Sequence, residues 1–257
     1  MSRELKNKPL VEAILEVRWD VAMSNEFPQD PTLRLLLGVY YEKIRGEFPY
    51  YEQLPTTAIP DAIATGVVQH RFRTAPDSWP LIQLGPGILT FNSTSDYSWP
   101  TFRPQACQAL GKFVSSFPNH AALKFNRLAL RYIDSVEFDH TQNDAYQFLR
   151  EKMKVEISLP DELFAGHVVQ KRPSGFTWES TFASSDPDGQ IHLRFASGQN
   201  RERPAIIWDT TFESTDEPIV RCAMFTDEFG SWIDGAHNLV NDCFFKLIEG
   251  DLERQFS

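Results

Sequence analysis

Cysteine is scarce in this chain: Cys107, Cys222 and Cys243 are the three that its 257 residues contain. Three scattered cysteines cannot build a disulfide framework or a paired metal site, and they fit a reducing compartment. A nucleophilic thiol needs a nearby base and an electropositive setting. The sequence around each cysteine offers neither, so all three read as small buried hydrophobes. No apolar run approaches the ~18–20 residues of a membrane span. The opening Met1-Ser2-Arg3-Glu4-Leu5-Lys6 has none of the apolar character of a signal peptide, and a cytoplasmic location is expected.

Basic clusters are missing as well. Lys and Arg number 25 against 35 Asp and Glu, a net charge of −10. Phosphate neutralisation supplies most of the affinity of nucleic-acid binders, so broad non-specific nucleic-acid binding is disfavoured. Catalytic spacings are absent too. There is no Gly-x-Ser-x-Gly elbow, Walker loop, His-Glu-x-x-His or Gly-x-Gly-x-x-Gly, and Gly85-Pro86-Gly87 reads as a hairpin turn. The six histidines (His70, His120, His140, His167, His192, His237) fall at no metal-ligand spacing from one another. His140 with Asp139 and Asp134 comes nearest to a mixed oxygen and nitrogen site, but a polar strand end accounts for it. No metal and no cofactor is expected.

What the chain does have is apolar and aromatic. It is 42% hydrophobic, with 20 Phe, 7 Tyr and 6 Trp, and a chain this long buries ~70–75% of its unfolded surface. Alternation marks residues 10–19 as a strand, with Val11, Ala13, Leu15, Val17 and Trp19 on one face and Glu12, Glu16 and Arg18 on the other. Asp30-Pro31 then resembles a helix start, followed at helical spacing by Leu33, Leu36, Leu37, Tyr40, Ile44 and Phe48. Strands are expected over 66–74, 80–84 and 87–92, and a helix over 104–116. The order then restarts: a long strand over 123–138, a helix over 143–154, and strands over 167–171 or 176–184, 190–196 and 205–212. The final helix, with Phe229, Trp232, Ile233, Ala236 and Val240 in its apolar stripe, is the clearest in the chain.

The fold class expected is therefore α+β, built of two pseudo-repeated β-α-β-β-β-α units, each an antiparallel sheet with helices on one face. The units are 1–118 and 119–257, fused into one domain. Val17-Arg18-Trp19 and Leu130-Arg131-Tyr132 occupy matching places in the two opening strands. Arginines gather on the polar strand faces: Arg18, Arg71, Arg73, Arg131 and Arg194. Two uses fit them, cross-strand ion pairing on a solvated face or a groove in which Arg18 and Arg131 hold a carboxylate or phosphate. Trp19 and Tyr132 then either anchor the core or stack on a ligand.

The stretches Pro9-Leu-Val-Glu-Ala-Ile-Leu-Glu-Val-Arg-Trp19 and Leu128-Ala-Leu-Arg-Tyr-Ile-Asp134 resemble a sporadically distributed family of prokaryotic proteins of about this length. In that family the second motif ends in Asn. Asp134 keeps the acceptor and loses the amide donors. The resemblance implies no catalytic residue or cofactor, and the family's patchy occurrence resembles that of toxin–antitoxin or phage-defence genes. The function expected is a binding protein that acts through a protein partner, without catalysis as the leading reading. The alternative is a small-molecule or nucleotide-binding protein, enzymes included, with an anionic ligand between the two halves. The candidate site residues are Arg18, Arg131, Arg71, Arg73, Arg194, Trp19 and Tyr132. Oligomeric state is left open.

Overall fold

In a computed structural model the structure describes residues 5–21, 23–24, 27–28, 33–60, 63–94, 96–119, 123–166 and 168–257. The Asp30-Pro31 helix start, His120 and His167 lie outside the described residues.

Strand β1 (Leu10–Trp19) leads to a two-residue pair, β2 (Met23–Ser24) and β3 (Phe27–Pro28), and then to helix α1 (Leu33–Ile44). Four strands follow, β4 (Tyr50–Gln53), β5 (His70–Arg73), β6 (Leu81–Gly85) and β7 (Ile88–Ser93), and then helix α2 (Trp99–Ser116). The second half opens with β8 (Phe125–Glu137) and α3 (Ala145–Met153), continuing through β9 (Thr177–Ser185), β10 (Asp188–Asn200) and β11 (Arg203–Ser214). A short α4 (Glu217–Val220), the long α5 (Thr226–Ile248) and α6 (Asp251–Phe256) close the chain. The protein is thus α+β. No helix among the described residues is long and apolar enough to cross a membrane.

Nine of these strands form one antiparallel sheet in the order β4-β5-β6-β7-β1-β8-β11-β10-β9. It runs unbroken across the expected boundary near residue 118, because β1 pairs with β8 at its centre. Period-two alternation then decides what each face buries. Ala13, Leu15, Val17 and Trp19 of β1 join Leu128, Leu130 and Tyr132 of β8 and Phe212 of β11 in the main core. Leu36, Tyr40 and Ile44 of α1, Phe102 and Phe113 of α2, and Phe229, Ile233 and Ala236 of α5 cover them. A second cluster on the same face joins Phe195, Ile206 and Trp208 to α3, α6 and the end of α5.

Local chemistry sets most boundaries. Asp144 caps α3, its carboxylate accepting from the N–H groups of Tyr146 and Gln147 at 2.9 and 3.2 Å. Helix α2 starts earlier than expected. Trp99-Pro100 fit its first turn, where a missing N–H costs nothing, and Pro104 lies inside it rather than opening it. Gly87 turns β6 into β7 at φ +70°, and a side chain there would meet Val21 Cγ2 at 2.8 Å. Of the two candidate strands around residue 170, the later one forms. β4 was not expected; its exposed pattern lacks the apolar alternation that marks a strand from sequence.

Candidate functional site

The face away from the helices is polar and largely neutralised. Arg127 reaches across β8 to Glu16 on one side and to Glu213 on the other, its Nε donating to Glu213 Oε2 at 2.6 Å. Arg18 Nε donates to Glu16 Oε1 at 2.6 Å, and His192 Nε2 lies 3.0 Å from Glu213 Oε1. Burial pushes the Glu213 carboxyl up, but Arg127 and His192 outweigh it and hold Glu213 below its ordinary value. Arg131 Nε donates to Asp209 Oδ2 at 2.7 Å. At the far end Arg71 and Arg73 share Glu52, with contacts of 3.2 and 2.8 Å. Arg194 is exposed, in register between Glu179 and Asp209.

The seven candidate residues are therefore not gathered at one point. Arg18 and Arg131 share a face, but the register pairs Arg18 with Arg127 and Arg131 with Ile14, so the two stand on opposite sides of the Glu16–Ala129 pair. Arg71 and Arg73 on β5 are six strand spacings from Arg194 on β10, roughly 29 Å. Trp19 and Tyr132 point the other way, into the core, 2% and 9% exposed. Trp19 packs on Phe113 with ring centres 4.8 Å apart.

On the covered face lies a cavity of about 390 Å³. Its walls come from the segment before β1, the start of α2, strands β8 and β11, and helix α5. Most of the lining is aromatic or aliphatic: Tyr97, Trp99, Tyr132, Val240, Phe244 and Phe245. Polar side chains share the lining, Lys8, Ser98, Asp134, Thr210, His237 and Asn241, besides the two tyrosine hydroxyls. Tyr97 and Tyr132 bring their hydroxyls to 2.6 Å, and Tyr132 continues to His237 Nδ1 at 2.9 Å. Trp99 lies flat against the His237 ring, 3.7 Å between centres at 6°. Burial pushes His237 down to about 4, against the raising influence of Asp234, so its imidazole is neutral at pH 7. Burial raises both phenols far above their ordinary value.

Asp134 is the exceptional member. It is 3% exposed, in phase along β8 with Leu128, Leu130 and Tyr132, so the alternation that buries them buries its carboxyl too. Burial first, and then the like charge of Asp209, push that carboxyl up to about 8. Among the described residues no cation or hydrogen bond is set against them. Beside it in the lining, Thr210 of β11 is 1% exposed, and its hydroxyl oxygen has no hydrogen-bond partner among the described residues. Next to Asp134 the strand pairing is irregular. Leu10 pairs with Asp134 and Glu12 with Ile133, leaving Val11 as the extra residue of a bulge.

The cysteines stay outside this chemistry, burial raising all three thiols and Cys222 to about 12. Among the described residues no group of three or more His, Cys, Asp or Glu is placed to hold a metal ion. His140 Nε2 instead lies 3.1 Å from the Ala205 carbonyl.

Comparison of the sequence with models of known protein families gives no match, and comparison with curated proteins gives none. The site is read from its own chemistry. Asp134 had a signal in the sequence, an acid at the next in-phase position after three apolar residues of one strand face. Thr210, in phase with Trp208 and Phe212, had the same one. Tyr97, Trp99 and His237 had none, because a loop, a helix start and a helix meet here only through tertiary packing.

Proposed function

We propose that this protein binds a small organic molecule in the cavity between the sheet and helices α2 and α5. One observation carries the reading: a buried acid, Asp134, and a buried hydroxyl, Thr210, line one largely aromatic and aliphatic cavity, the acid with no cation set against it and the hydroxyl with no hydrogen-bond partner among the described residues. Burying a carboxyl or hydroxyl without a hydrogen bond costs ~1–3 kcal/mol by the measure of protein variants. Groups left so are explained when a ligand completes them. The cavity's volume and its aromatic lining suit a molecule of metabolite size.

The same reading places the ligand between two related halves. Tyr97 and Trp99 precede residue 118, and Asp134, Thr210 and His237 follow it. A duplicated β-α-β-β-β-α unit is supported by the strand order. Each opening strand pairs with the closing strand of its own half, β1 with β7 and β8 with β11, and the two opening strands pair with each other. Arg18 and Arg131 then stand two residues to either side of the central Glu16–Ala129 pair.

The test is extraction of small molecules from the protein purified from its native host, followed by thermal shift with whatever is found. A ligand at ~100 times its Kd adds ~2.7 kcal/mol of stability. Asn241 lines the cavity from a half-buried position on α5, so Asn241→Trp is expected to fill it and keep the fold. A shift that the Trp variant loses supports the reading. A ligand that shifts both proteins equally overturns it.

A further inference from the structure

We propose that the ligand of this cavity is an organic ammonium ion with an apolar or aromatic body, its cationic nitrogen held by Asp134 and its body against the aromatic wall. This rests on the site reading above and specifies the chemistry that the site selects. The first argument is what Asp134 lacks. A buried carboxyl can accept several hydrogen bonds, and a carboxylate is stabilised by a nearby cation. Among the described residues the charged group that acts on it is Asp209, of like sign. The Tyr97, Tyr132 and His237 chain does not serve it. Tyr97, Tyr132 and His237 bond to one another, and the negative charge of Asp134 acts on both phenols. No hydrogen bond to the Asp134 carboxyl is formed among the described residues, so a donor on a ligand finds an open acceptor there.

The second argument is the wall. Tyr97, Trp99, Tyr132 and Phe244 line the same cavity as the acid. Faces of aromatic rings attract cations by their quadrupoles, most strongly where water is excluded. An aromatic wall with one carboxyl inside it favours an ammonium head over a neutral hydroxyl. A ligand carboxylate or phosphate meets the opposite treatment. Lys8, the basic residue of the lining, donates its ammonium to the Tyr97 carbonyl at 2.8 Å and does not figure among the charges acting on Asp134.

Binding of this kind has a signature that adsorption to the acidic surface lacks. The empty Asp134 is protonated at pH 7, so capture of a cation releases its proton to the buffer. The phenols and the imidazole that line the cavity with Asp134 hold their state at that pH. Tyr97 before α2 and Tyr132 on β8 stay protonated, and His237 on α5 stays neutral. Asp209 on β11 is paired with Arg131.

The probes are three molecules of one shape, 2-phenylethylamine, 2-phenylethanol and phenylacetate, titrated calorimetrically at pH 7 in buffers of different ionisation enthalpy. The amine is expected to bind at least about tenfold more tightly than the other two, because a charge-assisted bond replaces a neutral one. It is expected to release close to one proton, and Asp134→Asn is expected to abolish both the preference and the release. If the alcohol or the acid binds as well as the amine, and Asn241→Trp removes that binding, the ammonium proposal falls and the site stands. If the amine binds without proton release and equally to Asp134→Asn, it is held on the surface and the proposal falls. If none of the three binds, the ammonium proposal falls, and the site reading is decided by its own test with extracted ligand and Asn241→Trp.

Discussion

On the open face of the sheet, Arg127 stands between Glu16 and Glu213, and Arg131 is held on Asp209. On the covered face Asp134 is buried with no counter-charge among the described residues. The chain therefore pairs its charges on the face open to solvent, and leaves an acid without a described counter-charge in the wall of a cavity. Stability alone favours the reverse. Partly exposed ion pairs contribute little, ~0–1 kcal/mol each, whereas a buried lone acid is a standing cost. Departures of this kind from local consistency concentrate at functional sites. The comparison thus moves attention from the arginine face to the cavity behind it.

The largest way to break the comparison is to remove the cost. In the unfolded chain Asp134 ionises near the ordinary 3.8, and in the folded protein near 8. Between those values the folded state holds more protons than the unfolded state, so stability falls as pH rises. Asp134→Asn removes this slope. Relative to wild type the variant is expected to gain about 1.4 kcal/mol per pH unit from about pH 4 upward, on the order of 4 kcal/mol by pH 7. Urea denaturation of both proteins at pH 5, 6, 7 and 8 measures it. Parallel pH profiles would mean that Asp134 finds a counter-charge in solution.

His237 sharpens the same comparison with the opposite sign. Its folded value, about 4, lies below the ordinary 6.5, so the unfolded chain takes its proton first. Stability from this group is complete above 6.5 and is lost as pH falls from 6.5 to 4. Over that window the two buried groups oppose one another, and above it only the Asp134 slope remains. From these two residues the wild-type profile is expected to be level between pH 4 and 6.5 and to fall by about 2 kcal/mol from 6.5 to 8. In His237→Gln the level portion becomes a fall that begins near pH 4.

A smaller effect is expected on the open face. Arg127→Met leaves Glu16 and Glu213 facing each other, 20% and 17% exposed, with their shared cation gone. The cost expected is about 1–3 kcal/mol, and it shrinks on replacing Glu16 with Gln as well. A double-mutant cycle on these two positions reads the coupling directly. A coupling near zero would reduce this network to solvated charges that merely share a surface.

Much of the fold was legible because it rests on local patterns. The alternation in β1, β8 and β10, the turn at Gly85-Pro86-Gly87 and the stripe of α5 each state their own burial. The early start of α2 was less legible, since Pro104 reads as a first-turn residue when Trp99-Pro100 can serve as well. Strand β4 gave no signal because an edge strand with exposed side chains does not need apolar alternation. The site was less legible than the fold. Arginines on strands draw the eye, yet the partners Glu52, Asp209 and Glu213 are set by cross-strand register, which the sequence does not print. Asp134 could have been found by asking which acid lies in phase with leucines. Its neighbours Trp99 and His237 could not, being brought together by the crossing of α2 and α5.

The smallest effect expected is the one that separates the two faces most plainly. Arg194 was a candidate for binding by its place on a polar strand face, and it is exposed there between Glu179 and Asp209. An exposed arginine beside carboxylates contributes little to stability, so Arg194→Ala is expected to change it by less than about 0.5 kcal/mol. It lies across the sheet from the cavity, so the calorimetric affinity for 2-phenylethylamine is expected to stay within about twofold. If Arg194→Ala instead weakens a ligand that Asp134→Asn leaves untouched, the open face holds a site of its own, and the charges paired across it are the frame of that site rather than its neutral background.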